Sequence, residues 1–199
     1  MMKFVLASNN AKKLIEMRDI LSEFGVSVIS LAEAGIDSEP EETGTTFEEN
    51  ALIKAHAASK ASGMPAIADD SGLCVDALGG APGVLSARYG GDERQSDEDR
   101  VALLLRNLGD NTNRAAKFMC AVACVFPDGR EFTVYGECAG EITDAPRGAG
   151  GFGYDPVFLV AGMGLTMAEL DPAEKNKISH RGNAMKKLKK ELVKHYAEQ

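Results

Sequence analysis

At 199 residues, with 44% hydrophobic and 26% charged side chains, the chain can form one sizeable domain or two lobes sharing a core, and nothing in it looks disordered or repetitive. A formal net charge of −8 excludes a long nucleic-acid surface, which needs a basic stripe, although a local group of lysines can still hold a small phosphorylated ligand. The longest apolar stretches, such as 101–105 and 157–160, are far too short to span a bilayer.

Residues 3–7 are β-rich and break at once into Ser8-Asn9-Asn10, which reads as a first strand and not a secretory signal. Leu14, Met17, Leu21 and Phe24 then recur as the stripe of an amphipathic helix. Residues 26–31 read as a second strand, and 33–42 as an acidic turn region. Thr46-Phe47-Glu48-Glu49 fits a capping box opening a helix from 47 to about 62, closed by Gly63 with Pro65 beyond. Ala66-Ile67-Ala68 is expected as a short strand running into a turn at Asp69-Asp70-Ser71-Gly72.

Residues 79–91 look loop-like, and Ser96 caps a helix through about 108. Strands over 118–126 and 131–134 flank Pro127-Asp128-Gly129, a hairpin signal. A glycine-rich loop over 148–156 leads into a strand at 157–160. Asp171-Pro172 starts a helix, and a last helix runs from about Ser179 to the C-terminus. The fold class is therefore α/β, with the hairpin making the sheet mixed and no linker dividing a single domain over 1–199. The four cysteines, Cys74, Cys120, Cys124 and Cys138, form no CxxC pair and read as reduced core residues of a cytosolic protein.

Four motifs carry chemistry. Ser8-Asn9-Asn10-Ala11-Lys12-Lys13 lies between a strand and a helix, where unpaired N–H groups and the helix dipole suit a phosphate; the alternative is a plain cap with a solvated lysine. Glu39, Glu41, Glu42, Asp69 and Asp70 supply the hard oxygen ligands that Mg²⁺ takes alongside substrate phosphates and water. For Glu39 and Glu42 a solvated acidic loop is the better reading. Gly148-Ala149-Gly150-Gly151-Phe152-Gly153-Tyr154-Asp155-Pro156 matches GxGxxG formally, yet Pro156 and a strand follow it where a dinucleotide site needs a helix. What remains is backbone able to approach a ligand closely, or a bulged sheet corner. Ser179-His180-Arg181-Gly182 sets cations in the first turn of a helix, against its dipole. By contrast, 186–194 reads as a solvated face and His195 as idle.

Taken in order, these motifs resemble the inosine/xanthosine triphosphate pyrophosphatase family of bacterial type. The likeness also rests on Glu41-Glu42-Thr43-Gly44, Thr46-Phe47-Glu48-Glu49-Asn50-Ala51, Lys54, Ala68-Asp69-Asp70-Ser71-Gly72-Leu73 and Gly80-Ala81-Pro82-Gly83-Val84-Leu85-Ser86-Ala87-Arg88-Tyr89. Ser8-Asn9 departs from the Thr-Gly common in relatives, and Tyr154 stands where some carry Trp.

The resemblance implies a long mixed sheet flanked by helices, in two lobes with a substrate cleft between them. It further implies a cytoplasmic homodimer that needs Mg²⁺ and hydrolyses ITP, dITP and XTP to the monophosphate and pyrophosphate, with no nucleic-acid or membrane partner. On that basis Glu41 and Asp70 are expected to hold the metal, and Asp70 to activate water. Lys13, Lys54 and Lys175, with the backbone of 8–10 and Ser71, are expected to neutralise the phosphates. Phe152 is expected to stack on the base, Asp155 to accept from ring N1–H, and His180, Arg181 and N–H groups near Phe152, Gly153 and Tyr154 to donate to the 6-keto oxygen. A modified-pyrimidine pyrophosphatase and a non-catalytic nucleotide-binding module are the competing readings.

Overall fold

The computed structural model describes residues 3–23, 25–37, 40–91 and 96–197; Phe24 and Glu39, named above, lie outside them. Six strands, β1 (Lys3–Leu6), β2 (Ser27–Ser30), β3 (Ala66–Val75), β4 (Ala115–Val125), β5 (Glu131–Ile142) and β6 (Phe158–Val160), form one sheet in the order β2-β1-β3-β4-β5-β6. β1 runs parallel to both β2 and β3, while β5 and β6 are antiparallel, so the sheet is mixed as expected. The helices are α1 (Ala11–Glu23), α2 (Phe47–Ser62), α3 (Asp97–Leu108), α4 (Pro172–Ile178) and α5 (His180–Ala197). No helix among the described residues is long and apolar enough to cross a membrane.

The chain divides into two compact units. One comprises Met1–Asp70, Cys120–Gly136 and Arg181–Gln199, the other Ser71–Met119 and Glu137–His180. In the first unit, strand alternation sorts the core into two clusters. Phe4, Leu6, Ile67, Cys120, Val122 and Cys124 pack with Met17, Ile20 and Leu21 of α1 and Met185, Leu188 and Leu192 of α5. Val5, Ala66, Ala68, Ala121 and Ala123 take the other face, against Ala51, Ala55 and Ala58 of α2. In the second unit Leu73, Val75, Phe118, Ile142, Phe158 and Val160 pack with Val101, Leu104 and Leu108 of α3.

The helix starts follow their caps. Thr46 Oγ1 accepts from Glu49 N at 3.1 Å and Glu49 Oε2 accepts from Thr46 N at 3.2 Å, closing the expected capping box. Ser96 and Asp99 repeat it at α3.

One expectation is corrected. Asp69-Asp70-Ser71-Gly72 is not a turn: β3 runs straight through it as a ten-residue strand. Asp and Ser favour turns when their side chains bond their own nearby backbone, and here both carboxylates bond distant side chains instead. His195 packs at the end of α5, its ring stacked on Phe132 with centroids 4.8 Å apart.

Candidate active site

In the first unit, β1 delivers Ser8 and the start of α1. Asn10 is the cap of that helix: its Oδ1 accepts from Lys12 N at 3.1 Å and Lys13 N at 3.2 Å. Ser8 Oγ accepts from Asn10 N at 3.2 Å, and Ser8 N donates to Leu6 O at 3.0 Å. The segment is thus fixed by its own hydrogen bonds, with Asn9, Asn10, Ala11 and Lys12 at the surface and Lys13 half-buried.

Adjacent residues of a strand point to opposite faces, and this gives Asp69 and Asp70 different surroundings. Asp69 is fully buried, and its Oδ2 accepts from Arg181 Nε at 3.2 Å and Nη2 at 3.1 Å, with Lys13 Nζ at 3.3 Å. Arg181 is itself buried and also pairs with Glu16 of α1. Burial alone would raise the Asp69 carboxyl, but Lys13, Arg181 and Lys54 together hold it well below the usual carboxylate range. The guanidinium stays charged for the converse reason, Asp69 and Glu16 outweighing its desolvation.

Asp70 is compensated less. Asn50 Nδ2 donates to its Oδ2 at 3.1 Å, and Lys54 Nζ stands 4.0 Å from Oδ1 while bonding Glu42 at 2.6 Å. Burial therefore wins and pushes the Asp70 carboxyl up, despite the pull of Lys54 and Lys13. Desolvation works against the Lys54 ammonium, yet Asp69, Asp70 and Glu42 raise its proton affinity above normal. Asn50 is held in turn by Gly44 N, which donates to its Oδ1 at 2.8 Å. A Cβ on Gly44 would lie 2.6 Å from that oxygen and 2.7 Å from Glu49 Cβ, so the strap before α2 closes only with glycine.

Asp70, Glu42 and the exposed Glu41 offer oxygen donors only, and among the described residues no three His, Cys, Asp or Glu side chains form a group able to cage a metal alone. Cys120, whose Sγ lies 3.9 Å from Asp69 Oδ2, is pushed up to about 12 by burial and by Asp69, so it provides no thiolate. This donor set fits a hard cation that takes one or two carboxylates and completes its shell with phosphate oxygens and water.

In the second unit, the glycine-rich loop ends in a 3-10 turn and β6, not a helix, which agrees with setting the dinucleotide reading aside. Asp155 is buried, and its Oδ2 accepts from Phe152 N at 2.9 Å and Lys175 Nζ at 2.7 Å. The Lys175 ammonium lies 4.9 Å from the centroid of the Phe152 ring. Gly153 N donates to Asp97 Oδ2 at 2.8 Å, and Tyr154 OH to Ser86 O at 2.9 Å. His180 stacks on Phe118 with centroids 4.7 Å apart and planes 16° from parallel.

Several expected partners therefore differ from those found. Lys175, assigned above to phosphate, pairs with Asp155. Arg181, assigned to the base, binds Asp69 and Glu16. The Phe152 and Gly153 amides, also assigned to the base, donate to carboxylates. Sequence reading missed Glu16 and Asp97, and it quoted Asn50 and Ser86 within motifs without giving either a role. Besides its place in that motif, the signal for Asn50 was a polar residue on the face of the buried alanines of α2.

Gly151 has a φ of +72°, and a Cβ there would stand 2.1 Å from Asp155 Oδ2. Gly151→Ala is expected to displace the Asp155 carboxylate and to weaken the binding of a ligand held at this loop by about tenfold or more, since it disrupts a charged hydrogen-bonded pair. Steady-state kinetics with an unchanged far-ultraviolet circular dichroism spectrum is the check.

A model of the Ham1 family matches residues 4–191. The dITP/XTP pyrophosphatase of Gluconobacter oxydans is 51% identical over 185 residues, covering 92% of this chain and 87% of that protein. The dITP/XTP pyrophosphatase of Bacillus subtilis is 48% identical over 194 residues, covering 96% and 98%. Among solved structures, a HAM1 protein from Coxiella burnetii superposes with a TM-score of 0.89 at 44% identity, covering 98% of this chain and all of that one.

Proposed function

The chain belongs to the Ham1 family, and from that premise we propose that it hydrolyses non-standard purine nucleoside triphosphates, ITP, dITP and XTP, to the monophosphate and pyrophosphate. The observation that carries the reaction is the division of labour at Asp69-Asp70. One carboxylate is neutralised by Arg181 and Lys13, and the next is buried with Asn50 donating to it and Lys54 4.0 Å away. A buried carboxylate held in that state is suited to take a proton from water. The family match over 4–191 runs through both units, which supports reading them as one catalytic domain.

In this reading Asp70 and Glu41 hold Mg²⁺, with Glu42 as a further carboxylate on Lys54. The cation supplies charge neutralisation and acidifies water. Lys13 and Lys54, together with the start of α1, receive the phosphates. Asp70 takes the proton of the water that attacks between the α and β phosphates, and the bond to pyrophosphate breaks. Lys175 and Asp155 stand as donor and acceptor side by side, under the Phe152 ring. Hypoxanthine and xanthine present an acceptor at O6 next to a donor at N1–H, which matches that pair; adenine presents the reverse. His180 and Ser71 are further candidate substrate ligands.

The family resemblance also implies a homodimer acting in the cytoplasm, which sedimentation and fractionation check. The direct test is pyrophosphate release from ITP, dITP, XTP and ATP, with Mg²⁺ and with chelator. Turnover of the first three is expected only with metal. ATP is expected to fall behind by roughly 10⁴ in kcat/KM, because adenine would leave a buried donor and acceptor mispaired. Equal use of ATP would refute the base reading, and metal-independent turnover the assignment of Asp70 and Glu41.

A further inference from the structure

We infer that Asp97, at the start of α3, is a positioning residue that sets the affinity for the base; the inference rests on the proposed purine-triphosphate reading. Asp97 Oδ2 accepts from Gly153 N at 2.8 Å across 56 residues of sequence, whereas the Phe152 amide is satisfied inside its own loop by Asp155. The carboxylate is well anchored. Its other oxygen pairs with Arg100 one turn on, and α3 is fixed by its Ser96-Asp99 capping box and by buried Val101, Leu104 and Leu108. A charged acceptor on a backbone N–H makes a stronger bond than a neutral one.

The next residue, Tyr154, is tied separately. Its hydroxyl donates to Ser86 O, while Ser86 Oγ accepts from Leu73 N at 2.9 Å and donates to Gly83 O at 2.6 Å. Consecutive residues of the glycine-rich loop are thereby held by two different elements, and Phe152 and Asp155 flank them. Without the Asp97 tie the loop can pivot on Tyr154, and the Phe152 ring and the Asp155–Lys175 pair lose their fixed position. Lys13 pairs with Asp69, Lys54 with Glu42, and Asn50 donates to Asp70, contacts that do not involve the Asp97 carboxylate.

The test compares wild type, Asp97→Ala and Asp97→Asn, all checked for folding by thermal melting. Asp97→Ala is expected to raise the KM for ITP by about tenfold while kcat stays within about twofold, the signature of lost binding shared by ground and transition states. The ratio of ITP to ATP turnover should fall with it. Asp97→Asn keeps an acceptor oxygen and should lie between. Amide exchange at Gly153, measured without nucleotide, should quicken about tenfold in Asp97→Ala and less in Asp97→Asn. Unchanged exchange at Gly153, an unchanged or lowered KM, or a fall in kcat alone would overturn the inference. A wild type that fails to release pyrophosphate from ITP would instead sink the purine-triphosphate reading, and the exchange measurement would still decide the clamp.

Discussion

Asp70→Asn is expected to lose pyrophosphate release from ITP by about 10³-fold or more, while its thermal midpoint, taken in chelator, holds or rises. The loss follows from removing the proton acceptor, since a positioned general base contributes about 10²–10⁴ in rate. Stability moves the other way because of the sign of the shift. Burial raises the folded-state pKa of Asp70 above its unfolded value. Its favourable contribution is therefore complete only below the unfolded pKa of about 3.9, and it is lost as pH rises through the folded value. At neutral pH the ionised carboxylate is a net cost, offset in part by Asn50 and Lys54. Asparagine is nearly isosteric, offers Asn50 the same acceptor oxygen and carries no charge to desolvate. Raising the pH from 4 to 8 should thus widen the gap in midpoint between the variant and wild type. A variant that keeps most of its turnover would show that another group takes the proton. One that melts far lower would show that Asp70 serves to neutralise Lys54.

The parts of the fold that were legible in the sequence are those set by near neighbours. Thr46, Ser96 and Asp171 announced their helices because a cap bonds an amide two or three residues on. The chemistry of Asp69 was hidden because its main partner, Arg181, lies 112 residues away. The same distance made Asp69-Asp70-Ser71-Gly72 look like a turn. Turn propensity counts what Asp and Ser do to their own backbone, and takes no account of a guanidinium arriving from α5. Lys175 was read as one more phosphate lysine because charge, and not position, was all that the sequence supplied; its placement depends on Asp155 being folded back onto Phe152 N. The resemblance to a known family supplied the order of the motifs, while the separate duties of the two aspartates required their surroundings.

Those duties lead to the largest expected effect on stability, at Asp69. Asp69→Asn should cost about 3–5 kcal/mol, since it takes a carboxylate partner away from the buried Arg181 guanidinium. For a chain of this length that is a fall in midpoint of roughly 6–20 °C, at about 2–4 °C per kcal/mol. The pH dependence should be the mirror of that at Asp70. The folded pKa of Asp69 is depressed, so its stabilisation is present above the unfolded value of about 3.9 and is lost as pH falls toward the folded one. Wild type should then lose stability below pH 4 more steeply than the variant. Removing the stranded charge as well, in Asp69→Asn/Arg181→Met, should recover part of the loss, because buried pairs replaced on both sides by neutral or apolar groups are often close to neutral. Glu16 is half-buried and can turn to water. Recovery of midpoint without recovery of turnover would separate the two roles, since Lys13 would still lack the carboxylate that fixes it at the head of α1. If the double variant melts lower than Asp69→Asn, then packing of the long arginine stem, and not its charge, is what Asp69 protects.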